Sequence, residues 1–355
     1  MILCPYPIGL APSQRFRFEQ YFDLMMKEGF EINVKPFLTE DSWKIIYKSG
    51  SFLKKILGLF SGLLSRWIVL FQMHQFDFVF IHREAAPVGP PFFEWVIAKV
   101  FRKKIIYDFD DAIWLPNTSP ENNIAALVRW QSKVKLICGW SHKISAGNKY
   151  LGDFARQFNS NVFTNPTTID TINLHNPSLF SKKPHDKIVI GWTGTHSTLK
   201  YLRMIEPVIE SLCNKFQNKI ELQIIADRPP KLKIPYQFIA WSKATEINDL
   251  MQFNIGIMPL TDDRWAKGKC GFKALQYMAL QIPPIASQVG VNTEIIENGR
   301  DGFLCRSIEE WEFALTTLIE NKELRESIGN AARKKVIDHY SVFSNSSNFV
   351  SLFHS

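Results

Sequence analysis

Short apolar runs alternate with longer helical patterns along the whole chain, and this alternation limits the fold more than any other feature of the sequence. A strand followed by a helix and another strand forms a right-handed unit whose two strands are parallel. We therefore predict an α/β protein built from doubly wound parallel sheets. The helices predicted between the strands include Arg15–Lys27, Asn122–Ile137 and one from Thr198 to about Phe216. The predicted strands are Ile2–Cys4, Glu31–Val34, Phe78–His82, Lys104–Tyr107, Lys143–Ser145, Val162–Phe163, Lys187–Trp192, Glu221–Ala226, Phe238–Ala240, Ile255–Met258, Pro284–Ala286 and Phe303–Leu304.

The alternation is interrupted once, at Asn173–Asp186, which holds two prolines, two histidines and several small polar residues. A chain of 355 residues has room for two domains at roughly 100–200 residues each. We predict a first domain over residues 1–180, a second over 181–340 and a tail over 341–355. In such sheets ligands bind beyond the carboxyl ends of the strands.

Composition narrows the class of protein further. With 46% hydrophobic and 21% charged residues, the chain is not disordered. Five scattered cysteines without a Cys-x-x-Cys pair fit a reducing cytosol, and the N-terminus lacks the pattern of a secretory signal. The net charge of +8 suggests an anionic partner. The excess is spread evenly along the chain, so we expect no nucleic acid.

The segment from Ser42 to Gln75 is both basic and apolar, with five basic residues and no acidic one. Within it, Phe52–Phe71 fits an amphipathic helix whose charged residues leave too short an uncharged run to span a bilayer. Its apolar stripe comprises Phe52, Ile56, Leu59, Leu63, Trp67 and Leu70, opposite Lys54, Gly58, Ser61 and Ser65. Two interpretations stay open: a core helix with a solvated basic edge, or an interfacial helix on anionic lipid.

Two loops of the second domain have the composition of anion sites. The first, Gly191–Thr198, follows a strand and combines glycines with hydroxyl groups at a helix start. The second, Asp262–Phe272, places two lysines and two glycines before a helix. The candidate residues are Gly194, Thr195, Thr198, Lys200, Lys267, Lys269, Gly271 and Phe272. An ordinary basic surface loop is the alternative, but two such loops in one domain favour a diphosphate, as in a nucleotide sugar.

Charged residues also gather at predicted strand ends of the first domain. Asp108, Asp110 and Asp111 follow one strand, and three neighbouring carboxylates repel one another unless cations or hydrogen bonds offset the repulsion. Arg83 and Glu84 close the preceding strand, and an ion pair between Arg83 and an aspartate is the simplest explanation.

Two arginines open the first predicted helix, where positive charge opposes the helix dipole. Arg15 and Arg17 therefore indicate the capture of a phosphate or carboxylate, or else a salt bridge to Glu19 or Asp23.

The stretch Lys267–Ile296, with Asn298-Gly299-Arg300-Asp301-Gly302-Phe303-Leu304 after it, resembles the donor-binding region of glycosyltransferase family 4. The resemblance is most specific in Met278–Ile296, and Ser13-Gln14-Arg15-Phe16-Arg17 is similar to a Ser-x-Arg-x-Arg of parts of the family. It implies the GT-B fold, in which two Rossmann-like domains face a cleft, and a retaining transfer of a sugar. The C-terminal domain would bind the nucleotide sugar, the N-terminal domain the acceptor, and the tail would cross back to the N-terminal domain.

The sequence departs from the family pattern at several donor positions. The usual pair of glutamates falls on Gly268 and Gln276, and Trp192 stands near the usual arginine. Gln276 can still bind a ribose hydroxyl, and lysines can supply the missing positive charge. No metal or other cofactor is expected, since lysines and amides can hold the diphosphate and Asp262-Asp263 lacks the Asp-x-Asp spacing of metal-dependent transferases.

The resemblance also gives roles to the first domain. Asp110 takes the position of a family histidine near the reacting sugar and would orient the acceptor hydroxyl or accept its proton. Arg15, Arg17, Arg83, Glu84, Asp108 and Asp111 would bind acceptor or phosphate.

The expected function is therefore a retaining glycosyltransferase of bacterial cell-surface polysaccharide or lipid-linked glycan synthesis. It would work in the cytoplasm or on the inner face of the membrane, held there through residues 42–75. A non-catalytic GT-B subunit that scaffolds an active partner is the alternative, and a sugar-nucleotide epimerase is a further one.

Overall fold

The computed structural model describes residues 1–46, 50–116, 130–181 and 186–354. The chain forms two compact units. The first comprises Met1–Thr167, the short segment Gly268–Cys270 and the C-terminal Ser346–Ser355, and the second comprises Thr168–Lys267 and Gly271–Asn345. Residues 168–180, which we expected in the first domain, thus belong to the second unit.

The first unit is built on a parallel sheet. Its strands are β1 (Ile2–Cys4), β2 (Val34–Pro36), β3 (Phe78–His82), β4 (Lys104–Phe109), β5 (Lys143–Ala146) and β6 (Val162–Thr164). They lie in the order β2-β1-β3-β4-β5-β6. The winding direction reverses between β1 and β3, and ligands bind beyond the carboxyl ends of the strands at such a reversal.

The helices of the first unit are mostly short. They are α1 (Pro12–Arg15), α2 (Phe22–Lys27), α3 (Glu40–Ile46), α4 (Phe52–Phe71), α5 (Phe92–Trp95), α6 (Lys133–Trp140) and α7 (Lys149–Arg156). A π-helical turn, Val96–Val100, continues α5, and 3-10 turns occupy Glu19–Tyr21 and Met73–Gln75. No helix among the described residues is long and apolar enough to cross a membrane.

The second unit repeats this architecture. Its strands are β7 (Ile188–Gly194), β8 (Ile220–Ala226), β9 (Gln237–Ala240), β10 (Ile255–Met258), β11 (Pro284–Ser287) and β12 (Phe303–Cys305), in the parallel order β12-β11-β10-β7-β8-β9. The reversal falls between β7 and β10, so the loops after these strands are where a ligand is expected. A large apolar cluster, which includes Ile190, Trp192 and Ile257, forms the core.

The helices of the second unit complete the fold. They are α8 (Glu206–Phe216), α9 (Glu246–Leu250), α10 (Arg264–Lys267), α11 (Phe272–Ala279), α12 (Asn292–Ile295), α13 (Ile308–Glu320) and α14 (Lys322–Lys335), which a π-helical turn over Val336–Tyr340 continues. The last helix, α15 (Ser346–Val350), belongs to the first unit, where Phe349 stacks on Tyr21 with ring centroids 4.2 Å apart.

Four local predictions need correction. The strand predicted over Glu31–Val34 is β2, which begins only at Val34. The helix predicted over 15–27 is broken, because the Gln14 side chain exchanges two hydrogen bonds with the Tyr6 backbone and α1 ends at Arg15. Strand β4 runs on to Phe109, so Asp108 lies in the sheet. The helix predicted from Thr198 is a 3-10 helix, His196–Met204, and α8 begins only at Glu206. The helix predicted over 122–137 falls partly outside the described residues.

Candidate active site

Asp108 is the centre of a buried network at the carboxyl ends of β3, β4 and β5. Its carboxylate accepts hydrogen bonds from Arg17 and from Ser145 Oγ (2.6 Å), and it lies 2.7 Å from His82 Nδ1. Burial raises the pKa of Asp108, but Arg17 and His82 outweigh it and hold that pKa well below its ordinary value. Asp108 and Arg17 are almost fully buried, so they tie strand ends together and do not face a ligand.

A second cluster joins Arg83, Asp110, Asp111 and Lys269. The Arg83 guanidinium donates to Asp110 Oδ1 from Nε (2.9 Å) and Nη2 (2.7 Å), and to Asp111 Oδ2 (2.8 Å). Lys269 Nζ donates to Asp111 Oδ1 at 2.8 Å. These four side chains are 14–21% exposed, unlike Asp108, so a ligand can reach them.

The charges of this second cluster balance. Burial raises the pKa of Asp111, but Lys269 and Arg83 outweigh it and lower that pKa. Burial likewise lowers the pKa of Lys269, and the carboxylates reverse the effect. Both hydrogen bonds from Arg83 to Asp110 end on Oδ1. Among the described residues none donates a hydrogen bond to Asp110 Oδ2, so Oδ2 is the oxygen that a ligand hydroxyl can meet.

Lys269 lies with the acidic cluster because its segment, Gly268–Cys270, is packed into the first unit. Asn148 Nδ2 donates to the Lys269 carbonyl oxygen (3.0 Å), and Cys270 Sγ donates to the Asp110 carbonyl oxygen (3.1 Å). A Cβ at Gly147 would lie 2.4 Å from Cys270 Sγ, so this approach requires glycine. Lys269 was expected to hold the donor, and the structure engages it with Asp111 instead.

An Asp-x-Asp spacing does occur in the chain, at Asp108 and Asp110, and the sequence interpretation overlooked it. The two side chains do not act as a pair. Asp108 is bonded to Arg17 inside the sheet, whereas Asp110 is bonded to Arg83 after the strand ends.

Two other predicted residues of this unit lie outside both clusters. Glu84 forms a buried ion pair with Lys133 Nζ at 2.7 Å. The Arg15 guanidinium packs 4.9 Å from the centroid of the Phe16 ring. The structure therefore brings together Arg83, Asp110 and Asp111, and places Arg15 and Glu84 elsewhere.

In the second unit, the end of β7 is covered by a lysine that the sequence analysis missed. Lys273, in the first turn of α11, lies with Nζ 5.5 Å from the centroid of the Trp192 ring. A Cβ at Gly194 would lie 2.5 Å from that ring and 2.8 Å from Lys273 Cε, so only glycine fits beneath them. Trp192, near the family's usual arginine, is a core residue, and Lys273 supplies a cation beside Gly194.

The loop after β7 is fixed by Asp227, which directly follows β8. The His196 backbone N–H donates to Asp227 Oδ1 (2.6 Å), and His196 Nδ1 lies 2.6 Å from Asp227 Oδ2. Thr195 Oγ1 and Ser197 Oγ are 2.9 Å apart and exposed, whereas Thr198 Oγ1 donates to the Thr195 carbonyl oxygen. Thr195 can thus offer its hydroxyl to an anion more readily than Thr198.

The start of α11 has the features of an anion site. Gly271 has a left-handed φ of 68°, its Cβ would lie 2.2 Å from Ile295 Cδ1, and no side chain caps the helix. A helix start with a left-handed glycine and no side-chain cap has the backbone geometry and the dipole that favour an anion. The loop after β11 approaches closely, since a Cβ at Gly290 would lie 3.1 Å from Lys267 Cα. Asn292 Oδ1 in that loop is buried without a hydrogen-bond partner among the described residues.

The remaining predicted donor residues differ in how they are engaged. Lys267 Nζ pairs with Asp262 Oδ1 at 3.0 Å and is 45% exposed. Lys200 is exposed, with Nζ 5.1 Å from the centroid of the Tyr201 ring. Gln276 is buried, and its Nε2 lies 3.2 Å from His175 Nε2. Phe272 is half-buried at the first position of α11.

Lys273 and the His196–Asp227 pair are thus the site residues that sequence reasoning missed. Lys273 follows the left-handed Gly271 by two positions and so lies in the first turn of a helix. A lysine at such a position is the sequence signal that could have identified it as a candidate for anion binding. Nothing in the sequence links Asp227 to His196, because their contact depends on neighbouring parallel strands.

The family comparison points to the same unit. Residues 232–335 match the family model described as glycosyl transferases group 1, which confirms the resemblance stated from the donor-binding stretch. A comparison by sequence with curated proteins returns no match.

Solved structures resemble this chain at low sequence identity. A glycosyltransferase from Rickettsia africae has a TM-score of 0.68 at 15% identity, covering 99% of this chain and 97% of that chain. HepE from Anabaena, solved with UDP-glucose, has a TM-score of 0.66 at 14% sequence identity. The match covers 99% of this chain and 98% of HepE. TarM from S. aureus has a TM-score of 0.61 at 14% sequence identity. The match covers 82% of this chain but only 58% of the length of TarM. These likenesses establish the fold, and the predicted GT-B class is confirmed.

Proposed function

We propose that the protein is a retaining glycosyltransferase that moves a sugar from a nucleotide-sugar donor to an acceptor hydroxyl. The observation that carries the proposal is the grouping of Lys273, Gly194 and the uncapped start of α11 beside the β7 end of the second unit. A diphosphate is the ligand that suits amides, hydroxyls and a lysine at a strand end. The match of this unit to glycosyl transferases group 1 supports the same ligand.

The donor diphosphate is bound in this proposal by Lys273, the first-turn amides of Phe272–Ala279, and the Gly194–Thr195 backbone. Lys200 and Lys267 add positive charge from exposed positions. When the bond from the anomeric carbon to the diphosphate breaks, its electron pair stays on the phosphate oxygen. The lysines and amides stabilise that charge, so no metal is assigned to this step.

The acceptor is bound by the first unit. Arg83 fixes the Asp110 carboxylate through Oδ1, and Oδ2 receives the acceptor hydroxyl as a hydrogen bond that orients it. The acceptor oxygen then forms the new bond on the face of the sugar from which the diphosphate leaves. Its proton passes to the departing phosphate oxygen or to Asp110.

The proposed role is in bacterial cell-surface polysaccharide or lipid-linked glycan synthesis, at the inner face of the cytoplasmic membrane. The exposed apolar face of α4 supports a peripheral location. HepE was solved with UDP-glucose, and a TarM variant was solved with Fondaparinux, alpha-GlcNAc-glycerol and UDP. UDP-sugars are therefore the first donors to test.

A non-catalytic subunit remains the second candidate. Gln276 replaces a family glutamate and is bonded to His175, which favours the loss of a donor contact. The two candidates differ in nucleotide-sugar binding, so titration calorimetry with a panel of nucleotide sugars separates them. Binding of one member, with release of nucleoside diphosphate on incubation, supports the transferase. Absence of binding across the panel refutes it. The anomeric configuration of a transferred sugar, read by NMR, tests retention.

A further inference from the structure

Helix α4 presents its apolar side outward. At 100° per residue, one continuous face of this 20-residue helix holds only large apolar side chains. They are Leu53 (75% exposed), Ile56 (45%), Leu57 (65%), Phe60 (65%), Leu64 (53%), Trp67 (48%), Ile68 (53%) and Phe71 (78%). The interpretation of α4 as an ordinary core helix is therefore wrong.

The inward side of α4 combines two glycines and a buried arginine with the buried Val69 and Leu70. A Cβ at Gly62 would lie 2.5 Å from the Phe37 ring, and a Cβ at Gly58 would lie 2.6 Å from Ser42 Oγ. Arg66 is buried on this side and donates to the Ala85 carbonyl oxygen at 2.6 Å. The helix is thus fixed to the unit by close backbone packing and polar contacts, and its large apolar face stays exposed.

The exposed apolar surface continues onto a second element. The Trp67 ring centroid lies 5.3 Å from that of Phe92, at the start of α5. Phe92 (40% exposed), Trp95 (43%), Val100 (59%) and Phe101 (37%) extend the surface along α5 and its π-helical continuation. We call these four residues and the eight of α4 the α4–α5 surface. Apolar patches of this extent on a protein mark an interaction site.

The charges around the α4–α5 surface indicate the kind of partner. Lys54 and Lys55 stand at the N-terminal end of α4. Lys103 donates to the His74 carbonyl oxygen (3.4 Å) just after the helix, and Lys99 and Arg102 are exposed beside it. No acidic residue occurs from Ser42 until Asp77. An apolar face with basic ends and two tryptophans suits an anionic bilayer interface.

We propose that the α4–α5 surface inserts into the interface of an anionic bilayer, with α4 in the membrane plane, and that the acceptor is an amphiphile taken from that bilayer. The second half rests on the proposed function. Arg66 ties α4 to the Cys4 carbonyl oxygen (3.0 Å), at the carboxyl end of β1. That edge of the sheet also carries Arg83 and Asp110, so an acceptor reaches Asp110 while its tail stays in the membrane.

The docking half is tested by vesicle flotation of the full chain. The vesicles contain phosphatidylcholine alone, or phosphatidylcholine and phosphatidylglycerol in equal parts. We expect binding to the mixed vesicles. We expect a loss of about tenfold or more in Phe60→Glu/Leu64→Glu, because charges replace two apolar side chains of the face that enters the bilayer. Phe313→Glu, at an equally exposed phenylalanine of α13, is the matched control and should bind as wild type does.

Two outcomes overturn the proposal that the α4–α5 surface docks on an anionic bilayer. It fails if the wild-type chain does not float with mixed vesicles, or if Phe60→Glu/Leu64→Glu floats equally well. Sedimentation velocity tests the alternative that a second copy of the chain covers the α4–α5 surface. This alternative holds if the wild-type chain is a dimer and Phe60→Glu/Leu64→Glu dissociates it without changing flotation. Calorimetry with nucleotide sugars shows whether the variant is still folded. Flotation without nucleotide-sugar binding refutes the proposed function alone.

The acceptor half is tested with bacterial inner-membrane vesicles and a radiolabelled nucleotide sugar that the protein binds. We expect label in the butanol-extractable lipid with wild type, and at least about tenfold less with Phe60→Glu/Leu64→Glu at equal donor binding. Label found only in water-soluble products contradicts an amphiphilic acceptor.

Discussion

The buried Arg66 guanidinium donates from Nη2 to the Cys4 carbonyl oxygen at 3.0 Å, and so fixes a long apolar helix to the edge of a sheet through a charged residue. Burial lowers the pKa of Arg66 to about 10, which still leaves it charged at neutral pH. The neighbouring glycines of α4 permit this close approach. Together they explain why the apolar residues of the helix face outward.

Gly62→Ala tests this packing. In an exposed helix position the change from glycine to alanine stabilises by about 1 kcal/mol. Here the new Cβ would lie 2.5–2.7 Å from the Phe37 ring and from the Phe37 backbone carbonyl oxygen. We therefore expect a loss of about 1–3 kcal/mol in the free energy of unfolding. Urea unfolding measures it. Ser61→Ala, on the exposed side of the same turn, is the control and should change stability by less than about 0.5 kcal/mol. A stabilising Gly62→Ala would contradict the packing described.

Asp108→Asn should lower the free energy of unfolding at neutral pH by about 3–5 kcal/mol, because Arg17 is left buried without its counter-charge. The folded pKa of Asp108 lies below its ordinary value of 3.8, so its stabilising contribution is complete above that pH and is lost as the pH falls below it.

The acid limb of the unfolding curve should therefore become shallower in Asp108→Asn below about pH 4, by up to about 1.4 kcal/mol per pH unit. Ser145→Ala removes one hydrogen bond to Asp108 and keeps the charge. It should cost about 1 kcal/mol and preserve the acid slope. Equal acid slopes in wild type and Asp108→Asn would show that the carboxylate is not held charged.

Lys273→Met should weaken nucleotide-sugar binding by about tenfold to a hundredfold, the value of a charge-assisted hydrogen bond to phosphate. Titration calorimetry with the donor identified from the panel measures the change. Lys215→Met is a suitable control, because this exposed lysine of α8 pairs with Glu320. An unchanged affinity in Lys273→Met would remove this lysine from the donor site.

Asp110→Asn should slow sugar transfer by about a hundredfold or more while donor affinity changes less than about twofold, because the carboxylate orients the acceptor and not the donor. The rate of transfer into membrane vesicles and calorimetry with the donor give the two numbers. Asp153→Asn, at an exposed aspartate of α7, controls for the loss of a surface charge. If Asp110→Asn transfers at the wild-type rate, the first unit holds its acceptor elsewhere.

The sequence by itself determined the α/β class and nearly every strand, because a buried parallel strand is a local run of apolar residues with loops on either side. It also determined the family resemblance and predicted anion binding by the loops after β7 and β10, since glycines and lysines at helix starts are local features. The ion pair between Arg83 and an aspartate was anticipated too, because consecutive strands of one sheet end at the same edge.

Tertiary structure decided what depends on contacts distant in the chain. It buried Asp108 with Arg17, placed Lys269 beside Asp111, and put Lys273 over Gly194. It also turned α4 so that Leu57 and Phe60 face outward while Arg66 faces inward. Periodicity shows that a helix has an apolar stripe, but which side faces the protein is settled by the shapes that meet, here two glycines against Phe37 and Ser42.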